Sequence, residues 1–214
     1  GAAVGGSGAG NTITTGKTLT VNNNTTFTAP AADVTGKTIT TANSPINVTS
    51  LDATAGADLS NISKSGSGTL TATVSNDVTF TGNLGDFTTE LATNVDLTAD
   101  YSVITGKTIN KVSGQSGQTI VVDIAATTEP DLNTILNNTD VADGSVTFKI
   151  SENVTLTTSA NLRSRVGSID NNITLTTPTS VVTGLTITGT DGIITCSALE
   201  STADADLSGI TPTG

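Results

Sequence analysis

Three near-copies of one short motif contain residue types that could bind phosphate. "VTGKTIT" begins at Val34, "ITGKTIN" at Ile104 and "VTGLTIT" at Val182. Gly-Lys-Thr ends the phosphate-binding loop, but that loop also needs an earlier glycine at fixed spacing and a long helix afterwards. The required glycine is missing, a β pattern follows, and Leu185 replaces the lysine in the third copy. The motif therefore predicts a turn in a repeating scaffold.

Two acidic pairs have the chemistry of calcium ligands, because calcium accepts scattered carboxylate and carbonyl oxygens. They are Asp140 with Asp143, and Asp204 with Asp206. Asp206 precedes a leucine, as does Asp58 in another copy of the same motif, which is also the pattern of a turn cap. Calcium is therefore the only metal that the sequence suggests, and no other cofactor is required.

The composition argues against an enzyme. The chain contains no histidine, and its single cysteine, Cys196, has small or apolar neighbours, which predicts a buried side chain and not an activated nucleophile. The alternative is a carboxylate-pair enzyme acting on polysaccharide. Such enzymes need aromatic platforms for sugar rings, whereas this chain has one tyrosine, Tyr101, and four phenylalanines.

Charge limits the partners of the protein. The net charge is −11, and the eight basic residues are scattered, so nothing could neutralise a row of nucleic-acid phosphates. The chain has no long apolar run that predicts membrane insertion. It starts without methionine, which suggests a processed product or a fragment, and residues 1–10 predict a Gly-rich flexible lead-in or assembly arm.

Long self-matches without gaps reveal internal repeats. Val34–Ser63 lies over Val182–Thr211 at an offset of 182 − 34 = 148 residues, with matched apolar positions and shared Asp-Leu-Ser endings. A third copy, from Asn94, lies over the stretch from Asn172. Such matches are the signature of repeat architectures. The chain is therefore divided into three unequal modules, which are residues 11–63, 64–139 and 140–214.

Within each module, short Thr-x-Thr triplets enclose one apolar residue, as in Thr38-Ile-Thr40. Alternation with period two predicts strands, and the Gly and Asn that follow predict turns. "TEPDLNTILNN", with Thr128 as a cap, and "GDFTTELA", with Phe87 and Leu91 four apart, predict short helical turns. We expect an all-β fold, namely a β-solenoid of three modules. The alternative is a tandem β-sandwich.

The repeated "TGxTI" strands, the "ADLSxI" endings and the abundance of threonine, 46 of 214 residues, resemble bacterial cell-surface repeat proteins. These are the S-layer proteins and the large secreted adhesins. The resemblance implies a non-catalytic structural protein on the bacterial cell surface or in the extracellular space. It also implies that the partners are further copies of the chain or other cell-surface components. The alternative role is ice binding by a Thr-x-Thr face.

Overall fold

The structure is a computed structural model of the 214-residue chain. It describes residues 16–125, 127–162, 166–189, 191–198 and 205–212. The assembly arm predicted for residues 1–10 lies outside the described residues.

The described chain consists mainly of short parallel β-strands, with a few helices of one turn each. The helices are α1 (Ala31–Val34), α2 (Tyr101–Ile104), α3 (Asn133–Leu136) and α4 (Thr179–Val182), and two 3-10 turns span Leu51–Ala53 and Asp143–Ser145. The strands are β1 (Thr18–Val21), β2 (Phe27–Pro30), β3 (Thr38–Thr41), β4 (Ile46–Thr49), β5 (Ile62–Lys64), β6 (Leu70–Val74), β7 (Val78–Phe80), β8 (Thr88–Leu91), β9 (Asp96–Asp100), β10 (Ile109–Lys111), β11 (Thr119–Asp123), β12 (Val146–Ile150), β13 (Val154–Thr155), β14 (Val166–Ile169), β15 (Thr174–Pro178), β16 (Thr186–Gly189), β17 (Ile193–Ser197) and β18 (Ile210–Pro212).

The chain forms two compact units. The first contains residues 1–97 and 107–118, and the second contains residues 98–106 and 119–214. In the first unit, β1, β3 and β5 form one sheet, while β2, β4, β6, β8 and β10 form another. From β1 to β6 consecutive strands therefore alternate between these two sheets, and within each sheet a strand pairs in parallel with the strand two positions later in the chain. The three-module division stays a prediction beside this two-unit arrangement.

The second unit repeats this alternation. Strands β12, β14, β16 and β18 follow one another in one sheet, which β11 joins beside β12. Strands β13, β15 and β17 form the other sheet. The step between paired residues ranges from 88 − 71 = 17, for Thr71 and Thr88, to 146 − 120 = 26, for Ile120 and Val146.

The alternation of apolar and polar residues places one face of most strands in the core. In β6 the residues at alternate positions are buried, and threonines separate them. Parallel register stacks these inward residues into columns, one of which runs through Ala29, Val48, Ala72, Thr89 and Ile109. Burial of aliphatic area in such columns is the main favourable contribution to folding, at roughly 25 cal/mol per Å².

Thr89 is the polar exception in this column, because it is fully buried and its hydroxyl has no hydrogen-bond partner. We expect Thr89→Val to raise the free energy of unfolding by about 1–2 kcal/mol, since valine keeps the branched shape and removes an unsatisfied buried polar group. Urea denaturation measures the change. The control is Thr88→Val on the partly exposed face of β8, which should stay within about 0.5 kcal/mol. A less stable Thr89→Val protein would contradict the prediction.

The repeats found in the sequence adopt the same backbone conformation. Helices α1, α2 and α4 begin at equivalent positions, because 101 + 78 = 179 and 31 + 148 = 179. Two further equivalent positions in each copy have a left-handed backbone, which asparagine and glycine adopt at low cost. These are Asn24, Asn94 and Asn172, with φ of 65°, 56° and 62°, and Gly36, Gly106 and Gly184, with φ of 66°, 70° and 73°.

Side chains at the corners tie each segment to the one that follows about twenty residues later. In the first unit, the Asp52 carboxylate accepts the Ser75 N–H at 2.9 Å, and the Asp77 carboxylate accepts the Asp96 N–H at 2.9 Å. In the second unit, the Asn153 side-chain oxygen accepts the Thr174 N–H at 2.7 Å. These bonds satisfy backbone donors at turns, where the β-ladder has ended.

The prediction of a helical turn in "GDFTTELA" is wrong, because this stretch contains strand β8. Phe87, Thr89 and Leu91 are all buried, which is the alternation of a strand. A spacing of four residues satisfies both the helical period and twice the strand period, so Phe87 and Leu91 could not decide between them. Pairing of β8 with β6 and β10 decides for the strand.

The helical turn predicted in "TEPDLNTILNN" exists, as α3, but its predicted cap is wrong. The helix begins at Asn133, five residues after Thr128. The Asp131 carboxylate, and not the Thr128 side chain, accepts the Asn133 N–H at 3.0 Å. Asp131 lies two residues before Asn133, so its carboxylate can close a local turn with the Asn133 N–H in place of the cap predicted at Thr128.

Candidate functional site

The Gly-Lys-Thr motifs lie in turns that follow the one-turn helices. The left-handed φ of Gly36 and Gly184 explains why these positions are glycine, and their N–H groups donate to the carbonyls of Asp58 and Asp206, each at 2.8 Å. Both N–H groups are therefore already bound to backbone oxygens. Strands, not long helices, follow the turns.

The lysine of the second motif makes a contact between two segments of the chain. The Lys107 ammonium donates to the carbonyl oxygen of Gly85 at 2.6 Å within the first unit. Gly85 lies 107 − 85 = 22 residues earlier, so this lysine ties a turn to the preceding segment. Leu185 occupies the equivalent position in the third copy and is buried. The position serves packing between segments, and phosphate binding is not needed to explain it.

The repeated Asp-Leu-Ser endings form one type of turn. The Asp58 carboxylate accepts the Ser60 N–H at 3.0 Å and the Ser60 hydroxyl at 2.6 Å. The Asp206 carboxylate accepts the same two groups of Ser208 at 3.0 and 2.7 Å. The hydroxyl and the N–H of the serine lower the pKa of each aspartate, because both bonds favour the ionised form. The carboxylates therefore close local turns.

The structure places the four calcium candidates as follows. Asp206 is exposed and caps its turn. Asp140 is exposed and lies between α3 and the 3-10 turn that begins at Asp143. Asp204 lies outside the described residues. Across the described ranges, no group of three or more His, Cys, Asp or Glu side chains could hold a metal ion. Calcium binding stays a prediction.

The aspartate turns predict how stability depends on pH. The pKa of Asp58 is lowered in the folded state, so its contribution is present above the unfolded pKa, about 3.9, and is lost as the pH falls through the folded value. Asp58→Asn keeps an acceptor oxygen but cannot ionise. We expect this variant to be less stable than the wild type at neutral pH, with a difference that shrinks as the pH falls below about 3.9.

Urea denaturation at several pH values measures the Asp58 effect. The control is Asp33→Asn, which removes the same charge from an exposed position in α1. A difference between Asp58→Asn and wild type that persisted unchanged in acid would show that the carboxylate charge is not what stabilises the turn.

Cys196 is half-buried, not fully buried as the sequence predicted. Partial burial raises the pKa of its thiol, which disfavours the reactive thiolate. Its neighbour in register, Thr177 of β15, is fully buried. Burial therefore declines from β15 to β17, which pairs with β15 on one side and is the last strand of its sheet.

The threonine rows on the outer faces are short. One row crosses three strands through Thr155, Thr176 and Thr195. In the first unit, the hydroxyls of Thr20 and Thr40 lie 3.5 Å apart, and Ser63 replaces threonine in the next strand. The rows that suggested ice binding thus extend over only two or three strands in these sheets.

A small apolar groove beside β17 was not predicted from the sequence. It has a volume of about 150 Å³ and lies in the second unit. Ile193, which lies between the groove residues Gly192 and Ile194 in the sequence, is 54% exposed. The groove is lined mainly by two glycines and four isoleucines, which are Gly189, Gly192, Ile169, Ile187, Ile194 and Ile210.

The repeats differ in sequence at the corner where the groove lies. At the offset of 148 residues, Gly189 and Gly192 replace Thr41 and Ser44 of the first copy. Thr41 and Ser44 are buried, and the Thr41 hydroxyl donates to the Ser44 carbonyl at 3.0 Å. In the second unit Ile169 packs against both glycines, because a Cβ on Gly192 would come within 2.6 Å of Ile169 Cγ2 and one on Gly189 within 2.9 Å of the Ile169 carbonyl oxygen. The glycines therefore make room for Ile169, which also lines the groove.

None of the helices in the described ranges is long and apolar enough to span a membrane. Comparison with family models, with curated proteins and with solved structures found no match to this chain.

Proposed function

We propose that this chain is a β-solenoid and a non-catalytic structural element of the bacterial cell surface, where it assembles with further copies of itself. The observation that carries the proposal is the strand pairing. In each unit most strands pair in parallel with the strand two positions later, and the intervening strand belongs to another sheet, whereas β11 pairs directly with β12. A chain that winds in successive coils produces this pattern, with one strand of each sheet per coil.

Parallel pairing supports the solenoid over the tandem sandwich. Immunoglobulin-type sandwiches pair their strands in antiparallel fashion, often through hairpins. The strand pairs described in both units are parallel, with steps of 17 to 26 residues. Parallel neighbours need a crossover connection, and here the crossover is the strand of the other sheet.

The use of polar side chains supports a structural role. Asp52, Asp77 and Asn153 bind backbone N–H groups of the following segment, and Asp58 and Asp206 close turns. These five polar side chains thus hold segments and turns together. The extracellular location and the bacterial surface rest on the composition and on the resemblance to S-layer proteins and adhesins.

A disulfide experiment tests the solenoid. Thr20 and Thr40 are partners in the parallel register of β1 and β3 and lie on an exposed face. In a Cys196→Ser background, Thr20→Cys with Thr40→Cys should form an intramolecular disulfide under mild oxidation, because neighbouring strands lie about 4.8 Å apart. The control moves one cysteine along β3, as Thr20→Cys with Thr38→Cys. Equal cross-linking of both pairs, or of neither, would contradict this register.

Electron microscopy in negative stain and analytical ultracentrifugation test self-assembly. We expect the wild-type chain to form sheets or fibres as its concentration rises through the micromolar range. A calcium chelator should weaken assembly if Asp140, Asp143, Asp204 and Asp206 bind calcium, and the four Asp→Asn substitutions together should remove that sensitivity. Particles that stay monomeric at every concentration, with and without calcium, would overturn the proposed self-assembly.

A further inference from the structure

We propose that the free edge of β17 takes residues 11–15 of a second copy as an added parallel strand, with Ile13 seated in the apolar groove. This inference rests on the proposed self-assembly and names the contact that would carry it. Addition of an extended segment to an exposed sheet edge is an established mode of recognition, in which backbone bonds supply affinity and side-chain pockets supply specificity.

The first unit shows what covers the equivalent edge. Strand β4 corresponds to β17 at the offset of 148 residues, and β6 lies on it in parallel. Ile46 of β4 is opposite Leu70 of β6 and is fully buried. Its equivalent in β17, Ile194, is only half-buried, and Ile193 is 54% exposed. Among the described residues, β17 pairs only with β15.

A strand that lies on β17 as β6 lies on β4 therefore needs an aliphatic residue that faces inward and threonines that face outward. Residues 11–15 read Asn-Thr-Ile-Thr-Thr and lie outside the described residues. Their Thr-Ile-Thr triplet is also the sequence of Thr38–Thr40 in β3 and Thr186–Thr188 in β16. The segment thus has the pattern that this chain itself uses for paired strands.

The groove fits the side chain that such a strand would insert. Its volume is about 150 Å³, and an apolar cavity of about this size accommodates a benzene-sized group. The branched side chain of Ile13 has a volume of this order. Gly189 and Gly192 lack the side chains that Thr41 and Ser44 have in the first unit, and Ile169, which also lines the groove, packs against both glycines.

Charge favours this segment as the contact between copies. Each chain has a net charge of −11, so copies repel one another over most of their surface. Residues 1–16 contain no charged side chain, and the first one is Lys17. An uncharged strand entering an apolar groove avoids both repulsion and the cost of burying a charge.

We assign the strand to a second copy, because this contact would account for the proposed self-assembly. The segment and the edge are different parts of the chain, so the contact between two copies is head-to-tail. Such a heterologous contact leaves one segment and one edge unused after each addition, and it generates chains or filaments when it does not close into a ring. Residues 11–15 precede β1 of the first unit, whereas β17 belongs to the second unit.

A mixing experiment with full-length chains tests the assignment. Ile13→Asp disables the strand, and Ile194→Asp disables the edge. Sedimentation velocity should show each variant alone as monomer, with apparent association weakened at least tenfold. An equimolar mixture should form dimers but no longer species, because only one pair of intact surfaces remains. Val166→Asp, at a residue that is also 54% exposed but lies in the other sheet, should assemble like the wild type.

Each outcome decides between the two proposals. If the wild type assembles and both aspartate variants assemble equally well, the strand-addition contact is wrong while self-assembly stands. If the wild type never assembles, the proposed self-assembly fails. If, in that case, Ile13→Asp monomers also have a lower free energy of unfolding than wild-type monomers, the chain binds its own segment. The assignment to a second copy would then be wrong. Circular dichroism and urea denaturation check that every variant is folded.

Discussion

Replacing Gly167 with alanine is expected to lower the free energy of unfolding by about 3 kcal/mol, the upper end of the usual cost of overpacking. Gly167 lies in β14 and is opposite Phe148 of β12 in the parallel register. A Cβ added to Gly167 would overlap the ring of Phe148, whose side chain is 1% exposed. The ring cannot move aside without disturbing the neighbouring inward residues, such as Ile187. Thermal or urea denaturation measures the loss.

A compensating substitution separates this steric cause from a general intolerance of β14 to change. Phe148→Leu shortens the side chain that faces Gly167, so the double variant should recover at least about 1 kcal/mol relative to Gly167→Ala alone. Gly144→Ala is the matched control, because a Cβ there meets no atom within 4 Å. If the Phe148→Leu double variant is no more stable than Gly167→Ala, the ring contact is not the cause.

The same substitution at two equivalent positions should have very different effects. Ile46→Ala is expected to cost about 3 kcal/mol, since Ile46 is fully buried between β2 and β6. Ile194→Ala, at the equivalent position of β17, should cost about 1 kcal/mol or less, since Ile194 is half-buried beside the groove. Both effects are measured by urea denaturation of protein dilute enough to be monomeric.

The comparison of Ile46 with Ile194 is internally controlled, because residue type, strand type and repeat position are the same. The cover differs, because β6 lies on β4 whereas no other described strand than β15 pairs with β17, and the corner residues Thr41 and Ser44 are replaced by Gly189 and Gly192. Equal costs at the two positions would mean that β17 is as well covered as β4, and the edge would then be unable to accept another strand.

Much of the local structure followed from sequence patterns. Alternation around Thr38-Ile-Thr40 predicted a strand, and β3 spans it with Ile39 fully buried. The offset of 148 residues predicted equivalent geometry, and Asn24 and Asn172 have nearly the same φ. These features are local, because they depend on which face of a short segment is apolar and on which residues tolerate a left-handed backbone.

The candidate site could not be predicted in the same way. The isoleucines of the groove have the same pattern as those of the fully packed strands, so composition does not distinguish Ile194 from Ile46. The replacement of Thr41 and Ser44 by Gly189 and Gly192 was visible in the repeat alignment, but its effect depends on which strand lies alongside.

By itself, the sequence determined the strand periodicity, the positions of the repeated turns and the absence of histidine chemistry, because these depend on residue type and short spacing. Only the tertiary structure decided that most strands pair in parallel with the strand two positions later, that Leu91 belongs to a strand, that Gly167 makes room for Phe148 and that β17 pairs with no described strand except β15. The physical reason is that each of these depends on contacts between residues about twenty positions apart, and a local pattern carries no information about which distant segment will supply the contact.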